Sequence, residues 1–389
     1  MSKKAIKSLG RLIAVMAVIL TAMILSGSIR VHADNGETVR VSTSKELKAA
    51  IKNADVGTII LRTNAYLDIT IKADKAAKTK TLIIDAKNAV ITNKAVFADI
   101  SIYSAKQYTE SASGNYITLS DAYIPDGLFV AKKKTLKNLS VFESYGNFSN
   151  NYTLRKGAKL SNLELVYSGE YYPIKSSYDK SKKQLTLSCE SDGCEYNYTI
   201  KLDKKGRIKS IDCKSNYLET TYYEEYTYDS NGNVVKYEGK ENMSGKYTSE
   251  VTYSKDKRIK SVYKSEYSDG LYTFTYDKKG RLIHDEYFGS DSMDGVTFEF
   301  ASTYDYEYDK KGRLTYERWE IPDYDNFQEI SYTYNSKGFL TEMLINTGGS
   351  ETVYKYKYNE AGDLIEMTCY NEGDSETFIY EYDELGYPV

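Results

Sequence analysis

The chain has 389 residues, with 52 Lys and Arg against 55 Asp and Glu, and the formal charge of −3 excludes both a strongly basic nucleic-acid binder and a polyacidic tail protein. Its aromatic residues are 40 Tyr, 11 Phe and one Trp, a β-protein composition and not that of a bundle built on Leu and Ala. The length allows one large or two ordinary domains and ample chain for a core.

Residues 1–33 open with Lys3, Lys4, Lys7 and Arg11, continue with an apolar run from Leu12 to Leu25, and close on Val31-His32-Ala33. That is the layout of a secretory signal peptide cleaved before Asp34. The apolar run is shorter than the ~20 residues of a spanning helix, so no stable membrane span is expected after cleavage. Loss of five basic residues would leave 47 positive charges against 55 negative ones. The expected product is a secreted, soluble, moderately acidic protein.

Between residues 34 and 168, Ser44–Ile51 reads as one amphipathic helix, with Thr43 or Ser44 as cap and Leu47, Ala50 and Ile51 on one face. Short alternating strands follow. Centred on Ile60, Ile83, Ser101, Thr118, Ser140 and Glu164, they lie 23, 18, 17, 22 and 24 residues apart, a solenoid-like period. The helix would cover the open first coil. The segment Val41–Ile51, followed by Gly57-Thr58-Ile59-Ile60-Leu61 and Lys137-Asn138-Leu139-Ser140-Val141, resembles the start of pectate-lyase-like right-handed parallel β-helices. A small β-sandwich is the competing architecture.

From residue 169 to 389 a repeat can be written out. Tyr276-Asp277-Lys278-Lys279-Gly280-Arg281-Leu282 is its clearest copy, and the repeat glycines are Gly206, Gly232, Gly280, Gly312, Gly338, Gly362 and Gly386. Degenerate copies lie at Tyr178-Asp179 and at Tyr253-Ser254. The Asp or Asn should open a type I turn, Gly should take the left-handed conformation that closes a bulged hairpin, and the flanking Tyr-x-Tyr pairs should share one sheet face. The four residues Asp323-Tyr324-Asp325-Asn326 read as the loop that stretches one repeat to 32 residues.

This pattern resembles the YD repeat of the Rhs and teneurin group over about 210 residues, from Tyr178 onward. The resemblance implies a spiralling sheet of stacked hairpins on an exported protein, associated with carbohydrate binding, adhesion or the casing of polymorphic toxins. With about nine units and no toxin segment after them, the casing role is not carried over.

Chemistry is sparse. His284 is the one histidine after the expected cleavage site and cannot make a zinc site alone. There is no phosphate-cradling glycine motif. Asp229, Asn231 and Asn233, and Asp291 with Asp294 and Gly295, offer oxygens without completing a calcium loop. Asp85 and Asp99, with Lys80, Lys87 and Lys94, are the residues a β-helix lyase would have to use, and they form no clear cluster. No catalytic, cofactor or metal site is therefore expected. Cys189 and Cys194 bracket a turn and admit a hairpin-closing disulfide, whereas Cys213 and Cys369 each fall seven residues after a repeat Gly and should be equivalent free thiols.

The tyrosines remain. They form either a core or an exposed ladder that stacks on sugar rings, and Trp319, Tyr316, Tyr276, Tyr308, Tyr334 and Tyr358 are the candidate stacking residues. The expected protein is all-β and non-enzymatic, binding glycan or another cell-surface ligand and no nucleic acid. A spacer or orphan relic of a YD-repeat toxin is the alternative, and a polysaccharide lyase using the first half is the alternative from the enzyme class.

Overall fold

The computed structural model describes residues 36–143, 152–168, 173–191, 193–216, 221–241, 245–293, 296–322, 326–371, 373–383, 385 and 389; the expected signal peptide and Gly386 lie outside them. The described chain is all-β apart from one α-helix and one short 3-10 helix.

In the first half Glu37–Val41, Val56–Arg62, Thr81–Asn93, Asp99–Glu110, Tyr116–Tyr123, Asn138–Glu143 and Leu163–Ser168 pair in that order, each parallel to its neighbour. The register joins Ile60, Ile83, Ser101, Thr118, Ser140 and Glu164 in one row, the same residues whose spacing marks them as strand centres. Because side chains alternate along a strand, the residues flanking this row point inward together. They stack as two columns, Ile59, Leu82, Ile100, Ile117, Leu139 and Leu163 beside Leu61, Ile84, Ile102, Leu119, Val141 and Leu165, none more than 3% exposed. Each such side chain taken out of water contributes roughly 1.5–3 kcal/mol before entropy is charged against it.

The helix spans Ser44–Lys52. The Thr43 hydroxyl accepts from the Glu46 N–H at 3.2 Å and the Glu46 carboxylate accepts from the Thr43 N–H at 3.1 Å, a reciprocal cap. Its buried face is Leu47, Ala50 and Ile51, which joins Val41, Val56 and Ile59 in the core.

Pairing turns antiparallel at Leu163–Ser168 with Pro173–Lys175. From Ser177–Asp179 to Asp374–Ile379, 17 strands form one antiparallel sheet in which each strand pairs with the next in sequence. The sheet is open, for its first and last strands do not pair with each other.

The repeat turns are bulged hairpins. At Asp203, Asp229, Asp277 and Asp309 one carboxylate oxygen accepts the N–H two residues ahead and the N–H four residues ahead, at 2.7–3.0 Å. The described repeat glycines take φ between +78° and +96°, where a side chain is strained. In three units an Arg follows the Gly and closes its own turn, Arg207 on Asp203, Arg281 on Asp277 and Arg313 on Asp309, each at 2.6 Å.

In two units that lack that Arg, an Arg of the first half takes its place. Asn233 takes the position in one unit and accepts from Arg155 Nη1 at 2.6 Å; Asp363 takes it in another and holds Arg40 through two oxygens, at 2.6 and 2.5 Å. The turns thus dock on the first half. Leu160 N donates to Lys205 O and Tyr152 Oη to Gly206 O near the last parallel strand, while Tyr66 N donates to Gly338 O and Asn64 Nδ2 to Gly362 O near the first. The row of turns therefore returns along the parallel sheet toward the N-terminal helix.

Two expectations need correction. The 32-residue unit runs from Gly280 to Gly312, and its extra length lies in the strands Leu282–Met293 and Val296–Tyr308, which outreach the eight- or nine-residue strands of most other units. It is not made by Asp323–Asn326, of which Asn326 opens a strand and the other three lie outside the described residues. Nor are Cys189 and Cys194 joined by a disulfide. Cys189 faces Tyr196 and Cys194 faces Ser191, so the two are diagonal neighbours, with Cβ atoms farther apart than the ~3.8 Å a disulfide spans.

Candidate functional site

The register places the repeat tyrosines on one face of the antiparallel sheet. Tyr196, Tyr198, Tyr222, Tyr226, Tyr228 and Tyr237 either belong to the core or pack against it. Among the described residues no position of this face from Tyr247 onward joins that core. The same face therefore changes from core packing to open surface along the sheet.

The open stretch is aromatic. Tyr247 stacks on Tyr263 with ring centroids 6.2 Å apart, Tyr272 meets Tyr287 at 4.4 Å, Tyr287 meets Phe300 at 5.4 Å, and Tyr304 meets Trp319 at 6.4 Å. Tyr272, Tyr304 and Phe298 are 39%, 36% and 59% exposed. Glycines inside the strands let these rings lie flat. A Cβ on Gly239 would stand 2.4 Å from the Tyr247 ring, and one on Gly289 would stand 2.3 Å from the Tyr287 hydroxyl. These strand glycines were not singled out from the sequence, although a Gly inside an alternating Tyr-rich strand is the signal for them.

The candidate stacking residues divide. Tyr308 and Tyr334 lie under the guanidinium groups of Arg281 and Arg313, at 4.7 and 4.6 Å, Tyr276 lies under Lys257 at 5.6 Å, and Tyr358 stacks on Phe339 at 4.9 Å. Tyr276 and Tyr334 also donate their hydroxyls to the main-chain oxygens of Arg258 and Leu314. These four tyrosines cement one turn to the next, and their rings are committed to the scaffold. Tyr316 is three positions from Trp319 and so on the opposite face, where it donates to Glu329 at 2.8 Å beside Arg318. Of the six, Trp319 alone belongs to the open aromatic stretch.

Three carboxylates sit on this face within the stretch, Asp285, Glu317 and Asp291, the last across from Phe298. Asp285 accepts from the Tyr306 hydroxyl at 3.0 Å, and Glu317 accepts from the Tyr332 hydroxyl at 2.6 Å. Asp285 and Glu317 each fall five residues after a repeat Gly. Burial pushes the Asp285 carboxyl up, against the opposing pull of the Tyr306 hydroxyl, and desolvation drives the phenols of Tyr306 and Tyr332 far above the ordinary tyrosine range. Between Tyr247 and Tyr332 the described positions of this face beyond the turn-adjacent arginines hold no Lys or Arg; Lys246, Lys260, Lys264, His284 and Arg318 alternate onto the other face.

Elsewhere the reactive groups are engaged. His284 is bonded to Asp305 at 2.7 Å, which raises its pKa against the effect of desolvation, and it lies 3.6 Å from Glu286. The buried Lys80 donates to the main-chain oxygens of Asn53, at 2.7 Å, and Val56, and Asp85 is held by Arg62 and Ser104. Asp229 spends its oxygens on Asn231 N, Asn233 N and Asn233 Nδ2. Among the described residues no group of three or more His, Cys, Asp and Glu is placed to hold a metal ion, and no helix is long and apolar enough to cross a membrane. Cys213 and Cys369 do occupy equivalent sites, for each faces a tyrosine across the sheet, Tyr198 and Tyr354, and bonds to its hydroxyl.

No protein-family model matches the chain, and no curated protein matches it. One similar solved structure is a porin-like protein from Bacteroides uniformis ATCC 8492, 12% identical, covering 50% of this chain and 91% of its own, with a TM-score of 0.24. A likeness at that score bears on neither fold nor function.

Proposed function

We propose that this is a secreted, non-enzymatic scaffold that binds glycan or a glycan-bearing cell surface through the open aromatic face of its antiparallel sheet. In this reading the first half is a short right-handed parallel β-helix, supported by the row of parallel strands at 17–24-residue spacing. The second half is a spiral of YD-repeat hairpins, supported by the Asp-opened, Gly-closed turns. The observation that carries the function is the separation of the Tyr face into a core-packed part and an open part that bears Trp319, Tyr304, Tyr287 and Tyr272. Sugar rings present C–H faces that pack on aromatic rings while their hydroxyls bond to flanking polar groups, and tyrosine hydroxyls and carboxylates stand beside these rings.

Trp319 is the only tryptophan of the chain, so it reports on its own surroundings. Titration of the protein with soluble oligosaccharides should change its fluorescence saturably, and Tyr304→Ala should weaken the titration about tenfold, the loss of one stacked ring. A flat fluorescence trace together with no retention on any immobilised glycan would replace this reading with that of a spacer.

A further inference from the structure

Resting on the glycan-binding reading, we infer that the open face selects amine-bearing glycans over neutral and acidic ones. The rings from Tyr272 to Trp319 offer π faces, which attract a cation, and the carboxylates of Asp285 and Glu317 stand among them, with Asp291 on the same face across from Phe298. Asp285 lies across from Tyr304, Tyr304 lies across from Trp319, and Glu317 is two positions from Trp319 on the same strand. Asp285 and Glu317 are thus on strands separated by one strand and offset by two residues along them, about 12 Å apart at the usual strand spacings. In a β-1,4-linked chain alternate sugar residues are turned over, so amines facing one edge recur once per disaccharide and more than one can meet a carboxylate along the face.

Charge supports the same choice. Asp285 and Glu317 each commit one oxygen to a tyrosine hydroxyl, Oδ2 of Asp285 and Oε1 of Glu317. The nearest positive influence on Asp285 comes from His284 on the other face and from Arg258 at the turn end. A uronate or sulfated chain laid along these rings would meet three anions, Asp291 among them, and no cation beyond the turn layer. A neutral chain would gain stacking only, whereas a protonated amino sugar gains stacking and pairing together.

The test uses the full chain at low salt and pH 5.5, with Trp319 fluorescence as readout and three probes: a glucosamine oligomer, the N-acetylglucosamine oligomer of equal length and an oligogalacturonate. The glucosamine oligomer should bind about tenfold tighter than the acetylated one, and the oligogalacturonate should not bind. The double variant Asp285→Asn with Glu317→Gln keeps oxygens that accept from Tyr306 and Tyr332, and should lose that preference while retaining the neutral oligomer. The double variant Glu299→Gln with Glu307→Gln, an equal charge change on the opposite face, should keep it. Equal affinities for the two oligomers, a preference for the acidic one, or the same loss in both double variants would overturn the inference and leave glycan binding standing. Failure of all three probes, confirmed by no retention on immobilised glycans, would overturn both.

Discussion

Glu110 is fully buried in the parallel half, and its position in the register explains how. It stands in an inward column between Asn93 and Val130, where the neighbouring positions are otherwise aliphatic. Four donors converge on it: Ala112 N at 2.7 Å on one oxygen, and Asn93 Nδ2, Asn115 Nδ2 and the Tyr108 hydroxyl, each at 3.0 Å, on the other. Burial still outweighs them and pushes the carboxyl up to about 7. A carboxyl whose folded pKa lies above its unfolded value holds its proton longer in the folded state, so its contribution is present below the ordinary glutamate range and is lost as pH rises through about 7. Stability should therefore fall between about pH 4.5 and 7 on this account. Urea denaturation across that range should show the slope in the wild type and a flatter one in Glu110→Gln, whatever the variant's overall stability; parallel slopes would refute the assignment.

The hairpin turn is the unit of the second half, and its glycines do two separable jobs. At Gly312 (φ +85°) a Cβ would meet nothing within 4 Å, so the residue is needed for its backbone alone. At Gly232 (φ +90°) a Cβ would stand 1.8 Å from the Leu154 carbonyl oxygen, so the residue also lets the turn touch the parallel half. Gly312→Ala should cost about 1–2 kcal/mol, the left-handed penalty. Gly232→Ala should cost roughly 1–3 kcal/mol more, because main chain must move. Chemical denaturation of the two variants side by side checks this, and equal losses would mean that the contact at Leu154 carries no load. The Arg that follows the Gly extends the turn's reach: Arg281 Nη1 donates to Asp309 O and Arg313 Nη1 to Asn335 O, so each turn is tied to the next by the side chain that closes it.

Across the whole molecule the two halves are joined by arginines acting in place of missing ones. Arg40 and Asp363 are 323 residues apart, with side chains 9% and 6% exposed. Burial alone would raise the Asp363 carboxyl, but hydrogen bonds from Arg40 and Asn359 and the Arg40 charge hold it below the usual carboxylate range. A depressed carboxyl contributes stability above its unfolded pKa that is lost as pH falls through the folded value. Arg40→Ala should therefore cost about 3–5 kcal/mol at neutral pH, where it strands a buried charge, and less below about pH 4, where Asp363 takes up a proton. Denaturation at pH 7 and pH 3 measures both; a penalty that does not shrink in acid would show that lost packing, and not charge, is responsible.

The periodic features were legible in the sequence because they are local. The Asp that opens a turn and the Gly that closes it lie within four residues, and the helix cap from Thr43 to Glu46 is as short. The order of the parallel strands was legible too, since strand centres recur at near-regular intervals and pair in that order. Tyr316 and Trp319 are three positions apart on one strand, an odd spacing that already sets them on opposite faces, so their nearness in sequence does not make them one stacking pair. Tyr276, Tyr308, Tyr334 and Tyr358 look like exposed ladder residues in the repeat, yet their rings are taken by side chains of neighbouring units.

The sequence by itself determined that the described chain would be β apart from one short helix, where its turns would fall and which residues would share a strand face, since each of these follows from backbone conformation over a few residues. Only the tertiary structure decided which part of the tyrosine face is covered, that Arg40 and Arg155 complete turns far away in the chain, and that Glu110 is sealed inside. Burial and charge pairing depend on which distant surfaces meet, and no local spacing encodes that.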